Sequence, residues 1–374
     1  MFINPLEEKK MNLQSEKQKF KKKLRNPKKE DVEKMSYQYS LFKANLKKFL
    51  PEIPKEEYKA FFIDMLYHKW LSGFEQYDIE SLRNSIIINE SSYILENSNQ
   101  PKPLIFATFH IGSYRLFNSY LFENGFKMVL IIDENVYLTQ QADILNNVKP
   151  LLKNNNGADF VILNVKDRTS IFKLKKLISE GYVMSVYLDG NTGLNRSLSN
   201  KFDKSFIPIN FFNNTVYVKN GIGKLAFLLG ADIIPVLSHR NENEQSSIVF
   251  HKEITLSDFE NKKEFPIKSI EDIYQIFEKK LNLYKTQWDN WIFIHSWFNR
   301  DFKTPYFVNN NVVNQFNTDR YSLFILKESY YIFDLSDYIS YPINIDLYRK
   351  LENNRISEIE NSLKLELIEK NIII

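Results

Sequence analysis

One histidine stands where a general base would be placed. The apolar run Leu104–Phe106 continues through Ala107–Phe109 into His110, and Gly112-Ser113 then forms a predicted turn. In open α/β sheets, ligands and chemistry collect at the carboxyl ends of the strands. Imidazole titrates near neutrality, and the chain has five histidines, so His110 is the leading candidate to take a proton from a hydroxyl or amine. A packed core histidine is the alternative.

Two charged residues are candidates to assist His110. Asp189 ends a second predicted buried strand, Val183–Leu188, and is therefore expected at the same sheet edge, where a carboxylate would orient the imidazole. Arg115 lies five positions after His110, and its guanidinium would disfavour a protonated imidazole or bind a phosphate or carboxylate of a substrate. The alternatives are a structural turn at Asp189-Gly190 and a surface salt bridge of Arg115.

A predicted helix start offers a third candidate site. Lys219 and Gly221 lead into an apolar helical pattern near 221–229. The free amides of a helix N-terminus favour a phosphate or a developing oxyanion, and Lys219 would add positive charge. A helix start without a ligand is the alternative.

Composition excludes several kinds of chemistry. The chain has no cysteine, which excludes disulfides, thiolate metal ligands and cysteine nucleophiles. The histidines lack metal-ligand spacing, and Ser113 lies in no Gly-x-Ser-x-Gly elbow, which disfavours metal-dependent and serine hydrolases. No apolar run reaches the roughly 20 residues that span a bilayer, and no signal peptide is recognisable. We therefore expect a cytoplasmic protein without a bound cofactor or metal.

The net charge of +4 is concentrated near the start of the chain. Residues 1–30 contain ten basic and four acidic residues, including Lys21-Lys22-Lys23. A solvated helix explains such a run, and weak attraction to anionic lipid or to an acidic carrier protein is the functional alternative. Peripheral contact with the inner face of the membrane is therefore an open expectation, whereas no nucleic-acid motif is present.

Periodicity predicts the order of elements along the chain. Residues 1–98 are predicted to be helical and to pack on the next domain from about residue 35. Residues 99–305 alternate short apolar runs with amphipathic segments, which predicts a mostly parallel central sheet flanked by helices. An Asn-rich linker is predicted over 306–319. Residues 320–374 then combine two short β runs around Glu328-Ser329 with two helical segments, which is winged-helix-like.

Three stretches of the chain together resemble the lysophospholipid acyltransferase superfamily, in its lipid A/phosphatidylinositol-mannoside acyltransferase branch. The resemblance covers about residues 35–300 and departs from the family at Arg115, where the family has an acid. The matching residues are Phe109 to Tyr114, Phe211-Phe212, Gly221, Leu225-Ala226, Gly230-Ala231, Pro235-Val236, Arg240, Gln287-Trp288, Trp291 and His295.

This resemblance implies a glycerolipid acyltransferase-like fold and a fatty acyl transfer. The acyl donor would be a thioester of acyl-carrier protein or coenzyme A, with His110 as the general base. Since the acid is missing at position 115, we predict that Asp189 is the catalytic partner of His110. The residues predicted to bind substrate are Ser113, Arg115, Asn191, Lys219, Gly221 and Arg240.

The end of the chain is similar to a second family, the small winged-helix peptide chaperones and recognition elements of ribosomally made, modified peptides (RiPPs). The similarity rests on Arg320-Tyr321, Tyr331 to Asp334, Leu347-Tyr348, Leu363 and Glu366 to Ile368. In that family a precursor peptide adds as an extra strand to the hairpin edge. The combination implies acylation of an amine or hydroxyl of a peptide natural product. Acylation of a membrane or envelope lipid, and a catalytically inactive binding protein with this fold, are the alternatives.

Overall fold

The computed structural model describes residues 5–75, 82–93, 102–153, 157–190, 204–299 and 314–374. These residues form two compact units. The first consists of residues 64–290, and the second combines residues 5–63 with residues from 291 to the end of the chain, in each case within the described ranges. Most of the predicted 306–319 linker lies outside the described residues.

Helices and strands alternate through the middle of the chain and are followed by a short β-rich segment. The α-helices are α1 (Pro5–Arg25), α2 (Lys29–Phe49), α3 (Tyr58–Glu75), α4 (Tyr114–Glu123), α5 (Glu134–Lys153), α6 (Ser170–Ser179), α7 (Gly221–Leu229), α8 (Phe265–Leu283), α9 (Ile345–Glu352) and α10 (Asn361–Glu369). The strands are β1 (Ile86–Asn89), β2 (Leu104–Thr108), β3 (Lys127–Ile132), β4 (Asp159–Asn164), β5 (Val183–Tyr187), β6 (Phe206–Phe211), β7 (Asn214–Lys219), β8 (Asp232–Arg240), β9 (Ser246–Phe250), β10 (Tyr321–Leu326), β11 (Ser329–Asp334) and β12 (Ser340–Ile343).

The first unit is built on a seven-stranded sheet in the order β1-β9-β8-β2-β5-β3-β4. Only the β8–β9 pair in this sheet is antiparallel. The central strands β2 and β8 are buried along their whole lengths, as expected for strands covered on both faces. The predicted mixed α/β class, with a mostly parallel sheet flanked by helices, is confirmed.

Strand β1 falls in a region that was predicted to be helical. Its three consecutive isoleucines, Ile86–Ile88, are β-branched and favour extended backbone. They pair in parallel with β9 at the sheet edge, and all of β1 is exposed. Helical periodicity in the preceding residues therefore does not predict where the chain forms its first strand.

Aromatic residues fill one face of the sheet beneath α4. The ring of Phe106 on β2 makes edge-to-face contacts with Phe117, Phe126 and Phe250, with centroids 5.5, 6.2 and 6.0 Å away. Such contacts add to the stabilisation from apolar burial. This packing fixes α4 over the sheet, and the turn from β2 into α4 carries His110.

The second unit contains a three-stranded antiparallel sheet in the order β10-β11-β12, followed by α9 and α10. Helix α2 lies against β10. The hydroxyl of Ser36 accepts a hydrogen bond from the backbone N–H of Ile325 at 3.1 Å, and the hydroxyls of Ser40 and Ser322 are 2.8 Å apart. One edge of this small sheet is therefore covered by a helix.

Candidate active site

The register of two neighbouring strands brings His110 and Asp189 together. Strands β2 and β5 are parallel neighbours, and Thr108 pairs with Tyr187 at their carboxyl ends. His110 and Asp189 each lie two residues beyond this pair. The two side chains therefore emerge at equivalent points of the same sheet edge, as the order of the apolar runs predicted.

The imidazole of His110 is bound directly to the Asp189 carboxylate. Nδ1 lies 2.7 Å from Oδ1 of Asp189, and the backbone N–H of His110 donates to Oδ2 at 3.0 Å. The Asp189 side chain is fully buried, whereas 28% of the His110 side chain is exposed. A carboxylate on Nδ1 fixes the tautomer with the proton on that nitrogen, so Nε2 is the nitrogen that can accept a proton.

A segment from the far end of the unit holds the carboxylate in place. The indole Nε1–H of Trp288 donates to Oδ2 of Asp189 at 2.8 Å, and the Asn290 amide donates to the same oxygen at 2.9 Å. The Asn290 amide also donates to the backbone oxygen of Asp189 at 2.8 Å. Sequence reasoning identified Trp288 only through a family resemblance and did not identify Asn290. Nothing in the sequence around Asn290 connects it to Asp189.

Gly112 allows the chain to turn sharply after His110. Its φ of +58° lies in the left-handed region, and a Cβ at this position would meet the backbone oxygen of Ser238 at 2.6 Å. The Gly112 N–H donates to the backbone oxygen of Gln287 at 2.9 Å. The side chain of Gln287 in turn bonds both main-chain groups of Arg240, at 2.8 and 2.7 Å. The turn is thus fixed between β8 and the segment that binds Asp189.

The pKa of His110 is raised above its ordinary value by its partner. Burial alone would lower this pKa, but the charge of Asp189 and the hydrogen bond to it outweigh burial. Arg115 lowers the pKa of His110, as expected from the sequence, and Asp289 raises it. Burial raises the pKa of Asp189, but its bonds to His110 and Trp288 lower it on balance, so the carboxylate is charged.

Two tyrosines and a pair of charged groups surround the imidazole. The ring centroids of Tyr187 and Tyr114 lie 4.7 and 4.8 Å from that of His110. The Tyr114 hydroxyl accepts a hydrogen bond from Nε of Arg115 at 3.1 Å. The neighbouring carboxylate of Asp289 forms a 2.9 Å ion pair with Lys69. The rings restrict the tilt of the imidazole, and the charges set its electrostatic surroundings.

A cavity of about 230 Å³ opens beside His110. It lies between the sheet and helices α4 and α5, and Ile132, Leu130 and Met128 of β3 line it in alternation. At about 3.3 Å per residue, these positions span about 13 Å from the carboxyl end of β3 inwards. The remaining lining residues are Tyr114, Arg115, Asn118, Ser119, Phe122, Val136, Gln140, Ile144, Asn147, Val148, Leu151, Phe160 and Tyr187. The cavity is therefore a largely apolar slot with His110 and Arg115 among its lining residues.

The other predicted substrate-binding residues lie elsewhere. Ser113 is buried with its hydroxyl 2.6 Å from that of Ser246, and it does not line the cavity. The Arg240 side chain is fully buried and paired with Glu75, with Nη2 2.5 Å from Oε2. Ser113 and Arg240 are therefore engaged in buried polar contacts with other residues and do not line the cavity.

Lys219 and Gly221 are exposed at the end of β7 and the start of α7, and neither lines the cavity beside His110. Gly223, two residues after Gly221, has a packing role, because a Cβ on Gly223 would lie 2.2 Å from the backbone oxygen of Pro266. A Cβ on Gly221 would meet nothing within 4 Å. Asn191 lies outside the described residues.

The remaining four histidines, all within the described ranges, occupy other surroundings. Nδ1 of His68 is 3.2 Å from Nη1 of Arg240, and Nδ1 of His251 is 2.9 Å from Glu90. The rings of His239 and His295 lie against Tyr284 and Tyr338. In the part of the chain that the structure describes, no cluster of three or more His, Asp or Glu residues is arranged to hold a metal ion. None of the described helices is both long and apolar enough to cross a bilayer.

Comparison with known proteins gives a likeness to a solved structure but no family. No protein-family model and no curated protein matches this chain. The chain is similar to the crystal structure of the 1-acyl-sn-glycerophosphate (LPA) acyltransferase PlsC from Thermotoga maritima, with 12% identity and a TM-score of 0.32. The match covers 70% of this chain and 99% of that one. The function of this chain therefore has to be inferred from its own site.

We expect Asp189→Asn to lower the pKa of His110. The substitution removes the main charge that raises this pKa, so that only the weaker effect of Asp289 still opposes the effect of burial. A histidine-selective NMR titration of the folded protein measures the shift. Asp289→Asn is the matched control and should lower the pKa less, because Asp289 makes a smaller contribution. An unchanged pKa in Asp189→Asn, or a larger shift in the control, would contradict the described coupling.

Proposed function

We propose that this chain transfers a fatty acyl group from an acyl thioester to an amine or hydroxyl of a peptide natural product. The observation that carries the proposal is the His110–Asp189 pair beside a largely apolar cavity. An oriented imidazole supplies a general base, and an apolar slot beside it suits a hydrocarbon chain. The pairing also disfavours the alternative of a catalytically inactive protein, since the carboxylate missing at position 115 has a counterpart in Asp189.

The proposed reaction needs one proton acceptor and no resident cofactor. Nε2 of His110 takes the proton of the acceptor amine or hydroxyl as its nitrogen or oxygen bonds to the thioester carbon. Asp189 stabilises the imidazolium that forms. The tetrahedral intermediate then collapses with cleavage of the carbon–sulfur bond, and the imidazolium returns the proton to the leaving thiolate. The products are an amide or ester and the free thiol of acyl-carrier protein or coenzyme A.

Arg115 has a role in this proposal as a residue of the substrate cavity. It lines the slot together with His110, and Tyr114 fixes its Nε. A guanidinium there would interact favourably with negative charge on either substrate or with the carbonyl oxygen as the thioester is attacked. The predicted roles of Arg115 and Asp189 thus differ, since only the carboxylate contacts the imidazole.

We expect His110→Ala to lower acyl transfer by about 10²–10⁴-fold, because the general base is lost. Thiol release from an acyl thioester, together with mass spectrometry of the acylated acceptor, measures the reaction. In the wild type, turnover should fall as the pH drops through the raised pKa of His110, since the base must be neutral. Asp189→Asn should lower turnover and move this acidic limb to lower pH. His251→Gln, at a histidine bound to Glu90, is the control. Full turnover in His110→Ala would exclude the mechanism.

The cavity should select the length of the acyl chain. Ile144 and Leu145 of α5 are both half-buried against the core, but only Ile144 lines the slot. The larger side chain in Ile144→Phe would fill part of the slot. We therefore expect activity on the longest accepted chains to fall about tenfold while shorter chains are spared. Competition between thioesters of different lengths measures this preference. Leu145→Phe is the matched control. An equal shift in chain-length preference in both variants would contradict selection of chain length by the cavity.

The second unit offers an edge to which a peptide could add as a strand. Strand β12 is the outer strand opposite β10, and β10 is covered by α2 through Ser36 and Ser40. Ile339 and Ile345 flank β12 and are 44% and 41% exposed. An open strand edge with apolar side chains nearby is the arrangement that strand addition requires. These features support the winged-helix-like recognition role.

The chemistry of β12 limits how a peptide would bind. The backbone N–H of Asp334 on β11 donates to Ile339, so alternation directs the main-chain groups of Ser340 and Pro342 to the open edge. Proline has no N–H, and the edge therefore offers two carbonyl acceptors but only one donor. An added strand would bond to this edge mainly through its own N–H groups.

We expect Ile339→Asp to raise the KM for a peptide acceptor by about tenfold without changing kcat, because a charge beside the β12 edge would disturb strand addition and leaves His110 and Asp189 unchanged. Steady-state assays with candidate peptides encoded beside the gene, and with a small amine as a second acceptor, measure the effect. The small amine should be unaffected. Leu283→Asp, at a leucine that is 73% exposed on α8, is the matched control. If peptides are not acylated but lipid acceptors are, the envelope-lipid alternative is correct.

A further inference from the structure

One wall of the slot beside His110 carries polar side chains. Asn118 and Ser119 are neighbours on α4, and both line the slot. Tyr187, the last residue of β5, lines it from the sheet. The Asn118 amide donates a hydrogen bond from Nδ2 to the Tyr187 hydroxyl at 3.0 Å and so joins the helix to the strand. We call Asn118, Ser119 and Tyr187 the polar patch.

Contacts within this wall fix the orientation of the Tyr187 hydroxyl. Ser185, two residues earlier on β5, is fully buried, and its hydroxyl donates to Oδ1 of Asn118 at 3.3 Å. The Asn118 amide therefore presents Nδ2 to Tyr187, whose oxygen has to act as the acceptor. The hydrogen of the Tyr187 hydroxyl is thus directed to an acceptor other than Asn118.

The polar patch has hydrogen-bonding capacity that the described residues leave unused. Among them, nothing accepts the hydrogen of the Tyr187 hydroxyl. Burial raises the pKa of Tyr187, so the hydroxyl keeps that hydrogen. Ser119 is 5% exposed, and its hydroxyl has no hydrogen-bond partner in the same part of the chain. Since unpaired polar groups in an apolar lining cost free energy, the polar patch favours a ligand with a polar atom at this point.

The place of the polar patch along α4 determines which part of an acyl chain it meets. Arg115 lies near His110, since its charge lowers the pKa of that histidine. Asn118 and Ser119 follow Arg115 by three and four residues, which places them about 4.5–6 Å further along the helix. Phe122, one more turn along, also lines the slot. An acyl chain whose thioester carbon lies at His110 therefore passes the polar patch within its first few carbons and then meets Phe122.

We propose that the polar patch is a subsite for a hydroxyl group on the third carbon of the acyl chain, which makes a 3-hydroxyacyl thioester the acyl donor. This inference rests on the proposed acyl transfer and specifies its donor. The substrate hydroxyl would accept the hydrogen of Tyr187 and exchange a hydrogen bond with Ser119. An unsubstituted chain leaves both groups unpaired, and a site built to bind a hydroxyl rejects an analogue that lacks it.

Binding of free fatty acids tests the subsite without turnover. Isothermal titration calorimetry of the full-length protein measures its affinities for 3-hydroxydecanoate and decanoate, and we expect the hydroxylated acid to bind about tenfold more tightly. Ser119→Ala and Tyr187→Phe each remove one hydroxyl and should each lower this preference about threefold. Ser170→Ala and Tyr182→Phe are the matched controls, because both residues are buried and neither lines the slot. Circular dichroism verifies that each variant is folded.

Turnover distinguishes this inference from the proposed function. The kcat/KM for the 3-hydroxydecanoyl thioesters of coenzyme A and acyl-carrier protein should exceed that for the decanoyl thioesters, with a small amine as acceptor. Discrimination in binding without turnover of any of these thioesters would contradict the proposed acyl transfer and leave the subsite intact.

Three results would overturn the subsite. The first is equal or weaker affinity of the wild type for the hydroxylated acid. The second is a preference that Ser119→Ala and Tyr187→Phe leave unchanged, or lower no more than the controls do. The third is an equal loss of affinity for both acids in these two variants, which would assign the polar patch to the part that the two chains have in common.

Discussion

The carboxylate of Asp189 is buried, and a buried negative charge is stable only when donors surround it. Its donors come from two separate parts of the chain. The imidazole and the backbone N–H of His110 follow β2, and the side chains of Trp288 and Asn290 follow α8. The site can therefore form only after the strands of the sheet and the segment beyond α8 have come together.

The same arrangement separates the positions of Asp189 and Arg115 around the imidazole. An acid five residues after His110 would approach the imidazole from the start of α4, whereas Asp189 approaches it from the neighbouring strand. The imidazole is oriented by the carboxylate that follows β5, and Arg115 is part of the cavity lining. The raised pKa of His110 shows which charge dominates, because Asp189 outweighs Arg115.

Much of the fold and part of the site could be predicted from the sequence. The buried strands read as short apolar runs, and their parallel arrangement places His110 and Asp189 at one edge without further information. Contacts between residues far apart in sequence could not be predicted in this way. Asn290 has no local signal that connects it to Asp189, a hundred residues earlier. Arg240 looks like a substrate-binding residue in the sequence, but its partner Glu75 lies on a helix that precedes the sheet.

The covered edge of the small sheet has a consequence for how copies of this chain can associate. Serines of α2 occupy the outer side of β10, so among the described residues β12 is the edge of this sheet that a foreign strand can join. A single added strand would present its own outer edge, whereas pairing of β12 with the β12 of a second copy leaves only the two β10 edges, which α2 covers. If two copies paired through β12, growth would stop at the pair and could not continue into a filament.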